Sequence, residues 1–103
     1  MSQEEEYVRV QKEKTTGGFV IEVGDDGEIL SIRSASGNRT IRKGQKVTSK
    51  NVTGLSDGTR GRVTAIFRPY EQGRGSDVFD ILFEGQRHPH FVGFNAIAIS
   101  VEQ

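Results

Sequence analysis

The chain has no cysteine and no tryptophan, only two prolines and a single methionine among its 103 residues. The lack of cysteine excludes a disulfide framework, cysteine-ligated zinc, iron–sulfur ligation and a thiol nucleophile. Every apolar run is far shorter than the roughly 18 residues that a membrane-spanning helix needs. The acidic, polar start at residues 1–6 does not fit a secretory signal peptide. We therefore expect a cytoplasmic protein without a membrane span.

The apolar residues that are present favour β-structure. Val and Ile together number 18, against 8 for Leu, Ala and Met. Branching at Cβ restricts a side chain in a helix and suits the pleated surface of a sheet. The 13 glycines supply the positive φ angles of tight turns. With no segment that keeps a helical period, the chain is predicted to be all-β.

Short segments of alternating hydrophobicity, bounded by turn residues, predict the strands. Gly24–Gly27 predicts a hairpin turn, and Pro89 indicates an edge strand. Alternation places Val63, Ala65 and Phe67 inward, with Arg62, Thr64 and Arg68 on the other face. In the next strand, Phe79, Ile81 and Phe83 are predicted to point inward. The predicted strands are 7–10, 19–23, 28–33, 39–42, 45–49, 61–68, 77–83, 87–92 and 96–101.

The arrangement of these strands predicts one β domain. Five strands fall within residues 43–101, which is typical of a five-stranded SH3-like barrel. Residues 7–42 are too few to pack alone and are interpreted as an N-terminal β-meander that extends the barrel. Residues 1–6 are interpreted as a flexible acidic tail.

Two family resemblances accompany this interpretation. Gly44–Val47, the glycine-bearing loop with Gly54 and Gly58, and Gly61–Ile66 together resemble a KOW-type, SH3-like small barrel. That resemblance implies binding to RNA, DNA or polymerase-associated proteins, without catalysis. A second, weaker resemblance is to the small peripheral stromal subunit of photosystem I. It is carried by Gly61–Val63, Phe79–Phe83 and residues 95–101.

The charges are segregated although the formal net charge is zero. Residues 1–38 hold eight acidic and four basic residues, whereas residues 39–74 hold nine basic and two acidic. Such segregation creates local fields that the net charge hides. Guanidinium groups bind phosphates and an aromatic ring stacks on bases. The predicted nucleic-acid site consists of Lys46, Lys50, Arg60, Arg62, Arg68, Tyr70 and Arg74. The other interpretation of these residues is an ordinary solvated sheet face.

The acidic half suggests an alternative function, that of a small adaptor or inhibitor docking on a larger protein complex. Its predicted contact residues are Glu22, Asp25, Asp26 and Glu28. The aromatic residues Tyr70, Phe91 and Phe94 are expected either to cap one end of the barrel or to form an exposed contact patch.

No set of residues supports catalysis. A Gly-x-Ser-x-Gly nucleophile elbow and a phosphate-binding Gly-Lys-Ser/Thr loop are both absent from the sequence. His88 and His90 lie two residues apart and face one side of an extended strand, but two imidazoles leave a zinc site incomplete. We expect no enzyme activity, no metal and no cofactor. The preferred prediction is a non-catalytic module that binds nucleic acid or a nucleoprotein complex.

Overall fold

A computed structural model of the chain describes residues 10–37 and 39–99. They form β-strands joined by turns, with two three-residue 3₁₀ turns at Thr16–Gly18 and Phe94–Ala96. Within these ranges no helix is long and apolar enough to cross a membrane. The predicted tail, residues 1–6, lies outside the described residues. The strands are β1 (Gln11–Lys14), β2 (Val20–Val23), β3 (Ile29–Arg33), β4 (Thr40–Arg42), β5 (Lys46–Ser49), β6 (Arg60–Ile66), β7 (Asp77–Phe83), β8 (His90–Gly93) and β9 (Ile97–Ile99).

The first four strands form an antiparallel meander in the order β1-β2-β3-β4. The predicted hairpin between β2 and β3 is confirmed. Its turn is closed by the Gly24 N–H, which donates to the Glu28 carbonyl at 2.9 Å. Gly27 has a φ of 85°, a left-handed conformation that favours glycine.

The first strand lies later in the chain than the sequence predicted. The prediction was 7–10, but Val10 lies outside any strand and β1 runs over Gln11–Lys14. Residues 7–9 are outside the described part of the chain. The shift follows from the tight connection to β2, in which Gly17 and Gly18 have φ of 87° and 86°. That turn brings Lys14 directly opposite Val20, so the polar residues before the turn become the edge strand.

The other five strands form the second antiparallel sheet, in the order β8-β7-β6-β5-β9. The strand β5 pairs with β6 on one side and with β9 on the other, and the sheet curls into a half-barrel. The predicted all-β fold, a five-stranded barrel-like sheet extended by an N-terminal meander, is confirmed. β8, which follows Pro89, is an edge strand as predicted.

The inner faces of the two sheets enclose one apolar core. Ile21, Ile32 and Ile41 lie in register across the first sheet and are fully buried. The second sheet adds the predicted inward residues of β7, all of which are buried: Phe79, Ile81 and Phe83. Burial of such side chains contributes about 1.5 to 3 kcal/mol each, so this shared core fixes how the sheets lie.

A bulge in β6 corrects the predicted alternation of that strand. The register with β7 shifts between Val63 and Ala65, leaving Thr64 as an extra residue. An extra residue reverses the alternation beyond it. Ile66, paired with Phe79, is therefore buried in place of the predicted Ala65 and Phe67.

The last strand is described over a shorter range than predicted. It begins at Ile97, which is buried, and is described as far as Ile99. Residues 100–101 of the predicted strand lie outside the described residues. Arg39, the residue before β4, donates hydrogen bonds to the carbonyl of Phe94 in the preceding 3₁₀ turn, at 2.9 Å, and to that of Ile97 at the start of β9, at 2.8 Å. Arg39 therefore links the two sheets at this end of the barrel.

Candidate functional site

The outer face of the five-stranded sheet holds part of the predicted basic site. Lys46 and Arg62 are directly opposed in the β5–β6 register, and Arg62 is in turn paired with Leu82. Residues paired across antiparallel strands point to the same face. Lys46 and Arg62 are exposed, and the Leu82 side chain is 40% exposed. Arg60 is exposed on the same face, two residues before Arg62.

These side chains border an open groove of about 540 Å³. Arg62 is held at its rim because its Nη1 donates to the Gly44 carbonyl at 2.9 Å. Residues of β7 and of the turn after it also line the groove, and Glu84 supplies the carboxylate among the lining residues. The groove thus combines cations with an exposed leucine, a pairing suited to a ligand with anionic and apolar parts.

Like charges directly opposite each other in a sheet are destabilising. Within the described part of the chain, the Lys46 side chain makes no hydrogen bond or ion pair, and the bond from Arg62 goes to a neutral carbonyl. The fold therefore holds two cations side by side in solvent. An anion bound between them would remove this repulsion.

Arg68 does not lie on this outer face, which corrects the prediction that it would. Its guanidinium donates to both carboxylate oxygens of Glu13, at 2.6 and 3.3 Å. Glu13 is paired with the buried Ile21, so it lies on the inner face of the first sheet. The bulge at Thr64 is the reason, because it moves every later residue of the segment to the opposite side.

The ion pair perturbs both groups. The hydrogen bond from Arg68 lowers the pKa of Glu13 below its usual range. The hydrogen bond to Glu13 raises the already high pKa of Arg68. Both groups stay charged at neutral pH, and Arg68 is engaged in joining the sheets.

Tyr70 is also separated from the basic groove. Its ring lies against the turn between β1 and β2, where a Cβ added to Gly17 would lie 2.6 Å from the Tyr70 ring. The centroid of the Tyr70 ring is 6.4 Å from that of Phe19. Tyr70 is 51% exposed, so it is an accessible aromatic away from Lys46 and Arg62.

Lys50 and Arg74 occupy two further places. Lys50 is exposed just past the end of β5, roughly 13 Å along the strand from Lys46 at about 3.3 Å per residue. Arg74 is half-buried, with its guanidinium carbon 4.2 Å from the Phe67 ring centroid and 5.0 Å from that of Phe91. The seven predicted site residues therefore divide among separate parts of the surface.

The four acidic residues of the alternative site are mostly bonded within the protein. Glu22 accepts from the Ser31 hydroxyl at 2.9 Å and from Arg42 Nη1 at 3.5 Å. Asp26 accepts from the Glu28 backbone N–H at 2.9 Å, closing the hairpin turn. The carboxylate of Glu28 forms an ion pair with Lys43. Asp25 is exposed in the same turn.

The two histidines diverge in their surroundings. His88 is exposed before β8, whereas His90 pairs with Ile81 and packs edge-on against Phe83 at 5.7 Å. Among residues 10–37 and 39–99, no three His, Cys, Asp or Glu side chains cluster as metal ligands would.

Sequence reasoning missed the exposed Leu82, the outward position of the half-buried Phe67 and a set of cations on the first sheet. Leu82 could have been recognised as an apolar residue at an outward position between the inward Ile81 and Phe83. The outward position of Phe67 had no signal in the sequence, because it depends on the bulge. The first sheet also presents four cations on its outer face: Lys12, Lys14, Arg33 and Arg42. Among the described residues paired on that face, the acidic one is Glu22.

Comparisons of the chain with protein-family models, with curated proteins and with solved structures found no match.

Proposed function

We propose that the protein is a non-catalytic module that binds nucleic acid, alone or within a nucleoprotein complex. The outer face of the second sheet is the contact surface. The observation that carries the proposal is the direct opposition of exposed Lys46 and Arg62 beside exposed Leu82. Phosphates neutralise such a pair, and Arg offers them a bidentate donor.

The nucleic-acid proposal has more support than the adaptor proposal. An adaptor docking through Glu22, Asp25, Asp26 and Glu28 would need those carboxylates available to a basic partner. Three of the four already accept hydrogen bonds or an ion pair inside the protein. A partner would have to compete with those contacts, whereas Lys46 has no such internal partner among the described residues.

Neutralising the two opposed cations tests the proposal. The Lys46→Gln/Arg62→Gln variant is titrated against single-stranded RNA and duplex DNA at low and moderate salt. We expect weaker binding whatever the base sequence. The log–log salt slope should fall by about 0.7 to 0.9 for each phosphate that the variant no longer neutralises.

The matched control is Lys14→Gln/Arg33→Gln, which removes the same charge from exposed positions on the first sheet. It should retain most of the affinity and the salt slope. Two results would overturn the proposal: no binding of either nucleic acid by the wild-type protein at low salt, or an equal loss in the control variant. A protein partner that needs Glu22 and Glu28 would then point to the adaptor instead.

A further inference from the structure

A second feature shares the outer face with the basic pair. Phe91 on β8 is paired with Asp80, and Asp80 lies two residues before Leu82 on β7. The register therefore places Phe91, Leu82 and Arg62 on one face. Phe91 is 38% exposed, which is high for a large aromatic side chain in a sheet.

Phe91 belongs to a small platform of flat groups. The rings of Phe67 and Phe91 meet edge to face, with centroids 5.7 Å apart. The Arg74 guanidinium lies over both rings. Its loop is closed by the Tyr70 N–H, which donates to the Gly75 carbonyl at 2.7 Å. Phenyl rings and guanidinium planes are the groups on which unpaired bases stack.

The platform and the basic pair are spaced for one ligand. Arg62 on β6 and Phe91 on β8 are two strands apart, and their partners on β7, Leu82 and Asp80, are two residues apart. Standard strand spacings then put Arg62 and Phe91 roughly 12 Å apart. Binding sites of a few nucleotides combine a positive groove with stacking side chains over such a surface. Leu82 lies between the two features and is exposed to the same ligand.

Asp80 makes the two ends of this surface differ in charge. Its carboxylate lies on the outer face next to Phe91, where it repels a phosphate. The opposed cations at Lys46 and Arg62 attract one. Phosphates are therefore directed to the basic end, and an uncharged base is favoured at the aromatic end.

We propose that this face selects single-stranded over duplex nucleic acid, with backbone phosphates at Lys46 and Arg62 and a base stacked on Phe91 and Arg74. The inference rests on the proposed function and adds the class of ligand. A duplex keeps its base faces inside its own stack, so it cannot use the platform.

The test compares a uridine 10-mer with a duplex DNA of equal length for the wild-type protein, three Phe91 variants, the Tyr70→Ala control and the Lys46→Gln/Arg62→Gln variant. Phe91→Ala should weaken single-strand binding roughly 5- to 150-fold, the range for loss of one base–aromatic stack. Its salt slope should stay unchanged, because every phosphate contact is retained. Phe91→Tyr should retain binding, since it keeps the ring.

Phe91→Leu keeps apolar bulk without a ring and should resemble Phe91→Ala. It also keeps the test valid if the alanine variant does not fold. The matched control is Tyr70→Ala, which removes an exposed aromatic on the side of Phe19 and should leave affinity unchanged.

The two proposals fail in different ways. Equal affinity for both nucleic acids, with Phe91 variants unchanged but Lys46→Gln/Arg62→Gln impaired, overturns the single-strand inference and leaves the nucleic-acid function standing. Absence of any nucleic-acid binding by the wild-type protein overturns both.

Discussion

Arg68 and Glu13, 55 residues apart in the chain, form a bidentate ion pair that connects the five-stranded sheet to the edge of the meander. The Nη1–Oε1 distance is 2.6 Å. Both side chains are partly exposed, so their charges remain in contact with water. The pair lies where β1 of the meander meets the segment just after β6.

The Arg68–Glu13 pair predicts a stability change at acid pH. Because the folded state lowers the pKa of Glu13, this group stabilises the protein above the ordinary glutamate pKa of about 4.3. That contribution disappears as the pH falls through the lower, folded-state pKa. Urea unfolding between about pH 6 and pH 2 should show a smaller acid loss of stability for Glu13→Gln than for the wild-type protein.

Arg68→Gln serves as the companion variant, since removing the guanidinium returns the Glu13 pKa toward its usual value. Its acid loss of stability should match that of Glu13→Gln. Indistinguishable pH profiles for the wild-type protein and both variants would show that the pair does not persist in solution.

Arg39 is predicted to stabilise the junction of the two sheets. Arg39→Ala removes two hydrogen bonds to the carbonyls of Phe94 and Ile97 and a cation–π contact with the Phe94 ring at 5.5 Å. We expect a decrease of about 2 kcal/mol in the free energy of unfolding, because hydrogen bonds to charged groups contribute about 1.5 to 3 kcal/mol. Denaturant titration measures it.

Arg33→Ala is the control for that measurement, since Arg33 is exposed on the outer face of the meander. It should change stability by less than about 0.5 kcal/mol. Similar decreases for the two variants would contradict a linking role for Arg39.

Gly61 is predicted to be required for the stability of the fold, because its position leaves no room for a side chain. A Cβ at this position would lie 2.6 Å from Phe83 Cδ1 and 2.8 Å from Ile81 Cγ2, both in the packed core. Gly61→Ala should therefore cost about 1 to 3 kcal/mol, the usual range for overpacking a core. Thermal unfolding followed by circular dichroism would measure the change.

Gly24→Ala is a suitable comparison because its Cβ would meet Leu30 Cδ1 at 3.4 Å, an ordinary contact. We expect a change below about 1 kcal/mol. Equal destabilisation by the two alanines would mean that crowding at Gly61 is not the cause.

Zinc is predicted to leave the melting temperature unchanged. The Nδ1 atom of His90 is buried without a hydrogen-bond partner among the described residues, and its ring packs on Phe83. His88 is exposed outside the strand. A thermal shift assay with excess zinc should show no stabilisation, because tetrahedral zinc needs further ligands. A large shift that disappears in His88→Ala would falsify this expectation.

Local sequence patterns were sufficient to predict the all-β class, the β2–β3 hairpin and the inward residues of β7. These features depend on Cβ branching, a two-residue alternation and glycine-bearing turns. Such signals act over a few residues, so they can be recognised without knowledge of how distant segments pair. Leu82, between the inward Ile81 and Phe83, carried the same signal but was not singled out from the sequence, and the structure has it exposed.

The composition of the candidate site, in contrast, depends on long-range strand pairing. One extra residue at Thr64 moved Arg68 to the inner face and Phe67 to the outer one. No local pattern marks that bulge, because it arises from the register with β7. Likewise, Lys46 and Arg62 are opposed because two strands pair, while Glu13 and Glu28 are neutralised by cations distant in sequence. Charge counts along the chain cannot show which charges fold onto each other, and that pairing determines which surface is left to bind.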